Sequence, residues 1–289
     1  MLYGIIEAGG TKFICGVADE NQIIERISIE TTTPQKTMPD VIAFFKKFDI
    51  VSLAIGCFGP IDIRKNSPTY GYILQTPKIA WQQYNFLGEM QTHFDIPMFW
   101  ETDVNVAAFG EFVLGAAKDA KSCLYLTIGT GVGGGYCANG AFLPTLLHPE
   151  MGHIHLKRLD GDSFEGSCPF HDDCVEGLVS GPAIEKRAGK KAEEIPEDDI
   201  IWEMVARYIA QALQTYTMVV SPEKIILGGG VMKREHLYPL VRKYFLEYIN
   251  GYIDFEALGV TMDTYIIAPQ MPDYSATYGC VELAKRLVK

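Results

Sequence analysis

Residues 123–143 read CLYLTIGTGVGGGYCANGAFL. An apolar run, Cys123–Ile128, enters a glycine cluster that extends from Gly129 to Gly135, and YCA then meets Asn139-Gly140 before AFL. β-branched and aromatic residues bounded by glycine mark strands, and Asn-Gly is the two-residue hairpin signal. The stretch therefore predicts strand, glycine turn, strand, turn, strand. The first thirty residues have the same form: LYGIIE, AGGTK, FICGVAD, NQ, IIERISIE. A strand–glycine turn–strand unit near residue 10 and again near residue 130 is a weak internal repeat. It predicts two related lobes, each offering a glycine hairpin.

Around the hairpins, strands and helices alternate. Pro39–Phe48 predicts a helix, VSLAIGCFGP a buried strand running into a loop, PMFWETD a strand and NVAAFGEFVLGAA a helix. Asn66–Phe86 reads as irregular. Over Asp198–Val220, Ile200, Ile201, Met204, Val205, Tyr208, Ile209 and Ala212 recur at helical spacing. KIILGGGV is a buried strand into a glycine loop, and a helix from about Arg234 to Tyr248 follows. A short strand at Tyr265–Ala268 and a helix from about Ser275 close the chain. The alternation is that of an α/β protein. No low-complexity linker intervenes, and the lobe boundary is expected near residue 110.

Composition narrows the function classes. The 289 residues are 48% hydrophobic and 21% charged, which is globular composition. No run approaches the length of a membrane span, and MLYGIIEAGG lacks the basic and long apolar regions of a secretory signal, so a cytoplasmic address is expected. The formal net charge is −11 and no basic stripe occurs, which argues against a nucleic-acid partner. An acidic protein still binds a phosphorylated ligand when Mg²⁺ and backbone amides supply the positive field.

Three glycine clusters suit that role: Gly9-Gly10, Gly129 to Gly135, and Gly228 to Gly230, each after an apolar strand. Glycine lets backbone amides approach a phosphate and point inward, and Thr11 and Lys12 beside Gly10 add a hydroxyl and an ammonium. Ordinary hairpin turns are the competing explanation for any one cluster. No segment fits the G-x-x-x-x-G-K-[ST] phosphate loop. Gly129, Gly131 and Gly134 formally match G-x-G-x-x-G, but YCANGAFL follows where that fingerprint requires a helix, so a dinucleotide fold is excluded.

GSCPFHDDCVEG, Gly166–Gly177, is different in kind. There are seven cysteines, an odd number that argues against a disulfide framework. Cys15, Cys57, Cys123, Cys137 and Cys280 lie in or beside apolar runs and read as core residues. Cys168 and Cys174 sit in polar sequence, with His171 midway between them. Zn²⁺ takes four nitrogen or sulfur ligands in a tetrahedron, and these three supply all but one. His153, fifteen residues before Cys168, is the leading fourth ligand, with His148 and His155 as alternatives. Four protein ligands leave no open position, so the metal would be structural. Free thiols without metal are the alternative.

Taken in chain order, the motifs resemble those of the sugar kinase, Hsp70 and actin superfamily, and within it the ROK family of bacterial sugar kinases and related repressors. EAGGTK is similar to the family's first phosphate motif, FGPID to its sugar loop, TDVNVAAFGE to its catalytic segment and TIGTGVGGG to its second phosphate loop. HPEMGH with the Cys/His cluster resembles its sugar and zinc signature, and SGPAI and LGGGV its adenosine-side loops. TYGYILQTPK-x-x-W and the C-x-x-H-x-x-C cluster most resemble the zinc-containing fructokinases.

The resemblance implies a two-lobed actin-like ATPase fold with ribonuclease H-like lobes. Residues 1–110 would form the small N-terminal lobe and 111–274 the large lobe with the zinc loop. The final helix, about 275–289, would pack back on the first lobe. The implied reaction is ATP-dependent phosphorylation of a hexose, D-fructose to fructose 6-phosphate, with glucose, mannose or an N-acetylhexosamine as alternative substrates. A non-enzymatic sugar-sensing regulator is disfavoured, because the chain opens two residues before its first strand, with no room for a helix-turn-helix.

Asp103 is the implied general base, at the end of strand PMFW where a helix begins; capping that helix is the alternative role. Gly59, Pro60, Asn105, Glu150, His153 and Glu176 are implied to bind sugar. Gly9, Gly10, Thr11, Lys12, Thr130, Gly131, Gly181, Pro182, Gly229 and Gly230 are implied to bind nucleotide. His153, Cys168, His171 and Cys174 would hold a structural Zn²⁺, ATP would arrive with Mg²⁺, and a homodimer is implied. Three positions depart from the family pattern: Glu7 replaces an Asp, Thr102 replaces an Asn, and His171 stands in a cluster that in many relatives is all cysteine.

Overall fold

The computed structural model describes residues 1–289. Its contacts cluster into two compact units. One contains Met1–Lys118, Gly135–Pro149 and Asp273–Lys289, the other Asp119–Gly134 and Glu150–Pro272.

The first unit begins with strands β1 (Leu2–Ala8), β2 (Lys12–Ala18) and β3 (Ile23–Glu30), followed by helix α1 (Pro34–Phe45) and strand β4 (Ile50–Cys57). Short strands β5 (Tyr72–Ile73) and β6 (Tyr84–Asn85) form a two-stranded ribbon where irregular chain was expected, and helix α2 (Phe86–His93) follows. Strand β7 (Met98–Thr102) leads directly into helix α3 (Asp103–Val113). The sheet order is β3-β2-β1-β4-β7. β1 pairs antiparallel with β2 and parallel with β4, and β4 pairs parallel with β7. β1 and β4, paired in parallel at the middle of this mixed sheet, are largely apolar, with Glu7 and Ser52 as polar exceptions. Their inner face packs Ile6, Phe13, Leu53, Ile55 and Trp100 with Phe45, Trp81 and Phe86, all at most 3% exposed. Each such side chain contributes roughly 1.5–3 kcal/mol of burial.

The second unit is built around strands β8 (Ser122–Ile128), β9 (Val132–Ala138), β11 (Lys224–Gly228) and β12 (Ile266–Ile267). Short strand β10 (Ala141–Phe142) pairs antiparallel with the end of β9, the strand within which the division between the units falls. The order of this sheet is β10-β9-β8-β11-β12. β8–β11 and β11–β12 are parallel. Relabelled from its own first strand, each sheet has the order 3-2-1-4-5, so the repeat seen in the glycine hairpins extends to the whole sheet. Helices α4 (Val175–Val179), α5 (Gly181–Ala188), α6 (Ile200–Val220), α7 (Leu237–Ile249) and α8 (Met262–Tyr265) complete this unit. The periodic apolar face of α6 is buried through Val205, Tyr208, Ile209, Ala212 and Leu213.

Helix α9 (Ser275–Arg286) belongs to the first unit, where it crosses α3. Glycine makes the crossing close. A Cβ on Gly279 would lie 2.1 Å from the Val106 carbonyl oxygen, and one on Gly110 would lie 2.0 Å from the Ser275 carbonyl oxygen. No helix is long and apolar enough to cross a membrane.

Candidate active site

In the first unit, Asp103 lies at the carboxyl end of β7 as the first residue of α3. Two observations separate it from a capping residue. Thr102 is the N-cap: its hydroxyl accepts the Asn105 N–H at 3.2 Å, so the residue that departs from the family pattern caps the helix. Asp103 accepts the adjacent Val104 N–H at 2.9 Å and also interacts with its own backbone N–H. Burial pushes its carboxyl up to about 6, against the pull of these N–H groups. A carboxylate titrating just below neutrality is matched to proton abstraction at physiological pH. Gly56 permits the placement, since a Cβ there would come within 3.2 Å of the Asp103 Cα.

Beneath Asp103 is a polar core with few atoms to spare. Glu101, 6% exposed, accepts from the Thr102 N–H at 2.9 Å and from the Asn105 amide at 3.2 Å. The Asn105 carbonyl oxygen accepts the Tyr136 N–H at 3.2 Å. Asn105 is thus engaged at both ends within the unit, with a single amide hydrogen left for a ligand.

The Gly59-Pro60 loop follows β4. Behind it Asp62 is fully buried and accepts from Arg64, Ser67 and Thr69 at 2.6–2.9 Å. The Arg64 guanidinium, with these hydroxyls, holds its carboxyl well below the usual carboxylate range. At the β1–β2 turn, Gly9 donates to the Lys12 carbonyl at 3.1 Å, and the Thr31 hydroxyl donates to the Gly9 carbonyl at 2.7 Å. Thr11 and Lys12 are exposed. Glu7 accepts from the Thr277 hydroxyl of α9 and lies 3.8 Å from the Arg26 guanidinium. Burial raises its pKa against both partners.

In the second unit, three glycine loops from distant parts of the chain meet at Gly129. Gly181 donates to the Gly129 carbonyl at 2.7 Å, and Gly129 itself donates to the Gly131 carbonyl at 2.9 Å. A Cβ on Gly129 would lie 3.7 Å from the Gly230 nitrogen. Gly229, at φ +88°, runs so close to β8 that a Cβ would lie 2.4 Å from the Ile128 carbonyl oxygen. A Cβ on Gly230 would meet open space. Next to this cluster, Ser180 caps α5 by accepting the Ala183 N–H at 3.3 Å, with Pro182 in the first turn. The Gly129 and Gly181 amides are thus engaged with carbonyls, which locks the loops together and leaves open space beside Gly230.

Glu176, on α4, has an unforeseen partner. Its Oε2 accepts the Val132 N–H at 2.9 Å, and Gly131 is glycine at a point where a Cβ would lie 2.6 Å from the same oxygen. One carboxylate oxygen therefore grips the backbone of the glycine loop and the other is left for a ligand. Glu150 is exposed, three residues before His153.

The metal candidates assemble in the same unit. His153, Cys168, His171 and Cys174 each offer a ligand atom, all within 4.8 Å of one another. His153 and His171 face each other through Nδ1 at 3.3 Å. The sulfur atoms of Cys168 and Cys174 lie 3.7 and 3.6 Å from His153 Nδ1, and Cys168 Sγ lies 3.9 Å from His171 Nδ1. Zinc bond lengths of ~2.05 Å to nitrogen and ~2.3 Å to sulfur give tetrahedral edges of about 3.4 Å between nitrogens and about 3.6 Å from nitrogen to sulfur. The donor set and the spacing both fit. Of the alternative fourth ligands, His155 pairs with Asp173 at 3.4 Å and His148 accepts the Ile61 N–H at 2.9 Å in the first unit. The loop depends on its flanking glycines. The Asp172 carbonyl oxygen would lie 2.1 Å from a Cβ on Gly166 and 1.8 Å from one on Gly177.

The sequence matches the model of the ROK family over residues 3–287. This chain belongs to the ROK family. It is 46% identical over 290 residues to a fructokinase from Pediococcus pentosaceus, covering 100% of this chain and 99% of that protein. It is 38% identical over 295 residues to a fructokinase from Zymomonas mobilis, covering 98% of this chain and 96% of that one. The crystal structure of a ROK hexokinase from Thermus thermophilus superposes with a TM-score of 0.79 at 23% identity, covering 100% of this chain and 99% of that chain. The ROK fold is the actin-like ATPase fold, as the motif order implied.

Sequence reading overlooked the polar supports of this ROK site. Glu101, Thr277 and the grip of Glu176 on Val132 carry no local pattern. The one available cue was a carboxylate beside Thr102-Asp103 in a strand that is otherwise apolar.

Proposed function

We propose that the chain is an ATP-dependent hexose kinase whose substrate is D-fructose and whose product is fructose 6-phosphate. The observation that carries this reading is the set of full-length relatives called fructokinases, at 38–46% identity. Asp103 supports it with chemistry. Its carboxylate is the base that takes the proton from the attacking sugar hydroxyl, a contribution of ~10²–10⁴-fold. Burial tunes the group, and Thr102 frees it from capping.

ATP enters as its Mg²⁺ complex, and the metal neutralises phosphate charge when bound. Gly9, Gly10, Thr11 and Lys12 are assigned to the phosphates from the first hairpin. Thr130, Gly131, Gly181, Pro182, Gly229 and Gly230 are assigned to the nucleotide from the second unit. Gly59, Pro60, Asn105, Glu150, His153 and Glu176 are assigned to sugar hydroxyls, which carboxylates and amides select by pairing. His153, Cys168, His171 and Cys174 hold Zn²⁺, which cross-links its loop and takes no part in phosphoryl transfer. The homodimer is proposed from family likeness, and light scattering on the purified chain tests it. Seven cysteines with no disulfide among them and the use of ATP suit the reducing cytoplasm.

The test is product identification. Incubation with MgATP and fructose, followed by ³¹P and ¹³C NMR, should show phosphate on the C6 oxygen. Phosphate on C1, or no phosphorylated sugar, refutes the assignment.

A further inference from the structure

His148 is a buried polar residue with no part in the chemistry described so far. It is 6% exposed. Its Nε2 accepts the Ile61 N–H at 2.9 Å across 87 residues of sequence. A nitrogen that accepts carries no proton, so the neutral ring keeps its hydrogen on Nδ1. The ring's second partner is the Pro149 backbone. Proline has no N–H, so its carbonyl accepts and the imidazole donates. Both ring nitrogens are thereby satisfied, in a single tautomer, inside the first unit.

The position of these partners gives the residue its meaning. Ile61 directly follows Gly59-Pro60. On either side of its amide the loop has anchors of its own: the Leu74 N–H donates to the Pro60 carbonyl at 2.8 Å, and Trp100 Nε1 donates to the Asp62 carbonyl at 3.1 Å. The Ile61 amide between them is held by His148. An apolar side chain would fill this space without desolvating two polar nitrogens, so the ring is there for its bonds. Its other bond lies one peptide before Glu150.

We propose that His148 is a positioning residue for hexose binding, which fixes the Gly59–Ile61 loop in the conformation that meets the sugar without touching the sugar itself. The identity of the ligand rests on the hexose-kinase reading, whereas the strut rests on the bonds alone. Asparagine at this position keeps a donor near Nδ1 but cannot reach Ile61. Glutamine reaches the place of Nε2 and can accept from Ile61.

The experiment compares wild type, His148→Asn and His148→Gln in steady-state kinetics with fructose and ATP varied separately, and by amide hydrogen exchange at Ile61. An unpaired buried N–H predicts that KM for fructose rises about tenfold in His148→Asn, with KM for ATP within about twofold. His148→Gln should recover to within about threefold of wild type, and Ile61 should exchange faster in His148→Asn only. Equal rises in both KM values, or a Gln variant as impaired as Asn, overturn the proposal. If His148→Asn does not fold, His148→Gln and wild type decide: rapid Ile61 exchange in wild type overturns it. Should wild type phosphorylate no hexose while Ile61 protection follows His148, the functional reading fails and the strut stands as a structural device only, which also refutes the positioning role.

Discussion

Glu176 Oε2 accepts the Val132 N–H at 2.9 Å, so the helix that follows the Cys/His cluster is bonded to the end of the glycine loop between β8 and β9. A residue assigned to the sugar thus also sets the shape of a loop assigned to the nucleotide. Glu176→Ala should raise KM for ATP about tenfold, because a hydrogen bond to a carboxylate contributes roughly 1.5–3 kcal/mol. Glu176→Gln keeps an acceptor for Val132 and should raise it by less than about threefold. Initial rates with ATP varied at saturating fructose separate the two. An Ala variant with the ATP affinity of wild type would show that the bond is idle.

Metal removal follows the same connection. The bond from Glu176 to Val132 ties α4 to the glycine loop, so loss of metal is expected to disturb that loop as well as the carboxylate assigned to the sugar. Purified protein should contain about one zinc per chain by elemental analysis. Cys174→Ser, or a strong chelator, should lower the melting temperature and raise KM for fructose and ATP together. A metal-free protein with unchanged stability would remove the cluster from this account.

The pKa of Asp103, raised to about 6 by burial, fixes a pH dependence. The ionised form is the base, so activity is present above that pKa and lost as protons are added. The acid limb of kcat/KM should fall at about pH 6, where a solvent-exposed aspartate would place it near pH ~4. Asp103→Asn should abolish the limb and lower kcat by ~10²–10⁴-fold without loss of melting temperature. A pH–rate profile and a thermal scan check both halves.

Gly229 and Gly230 make opposite predictions. A Cβ on Gly229 would lie 2.4 Å from the Ile128 carbonyl oxygen, at φ +88°, so Gly229→Ala should destabilise the fold. A Cβ on Gly230 would meet nothing within 4 Å, so Gly230→Ala should leave the melting temperature unchanged and weaken ATP. Equal ATP affinity in Gly230→Ala would show that the space beside it is not used by nucleotide.

The two hairpins were legible because each glycine cluster follows a strongly apolar strand, and a local pattern of this kind survives in the sequence. SGPAI resembles a family loop and no helix is expected there from sequence, yet helix α5 begins at Gly181. In the structure Ser180 is the cap and Pro182 sits in the first turn, where its missing N–H costs nothing. Helix α1 was expected from Pro39, but Pro34 occupies its first turn and Pro39 lies inside it. The sequence named His153 as the candidate that joins Cys168, His171 and Cys174, and the structure brings these four side chains together while His148 and His155 have other partners. The bonds of Glu176 to Val132 and of His148 to Ile61 span 44 and 87 residues, and nothing local encodes them.

The most direct test of the central claim is a coupled ADP-release assay with MgATP across fructose, glucose, mannose and their N-acetyl derivatives. The account predicts turnover with fructose at the highest kcat/KM of the set, and its loss in Asp103→Asn. No ADP release above background with any of these sugars would contradict it.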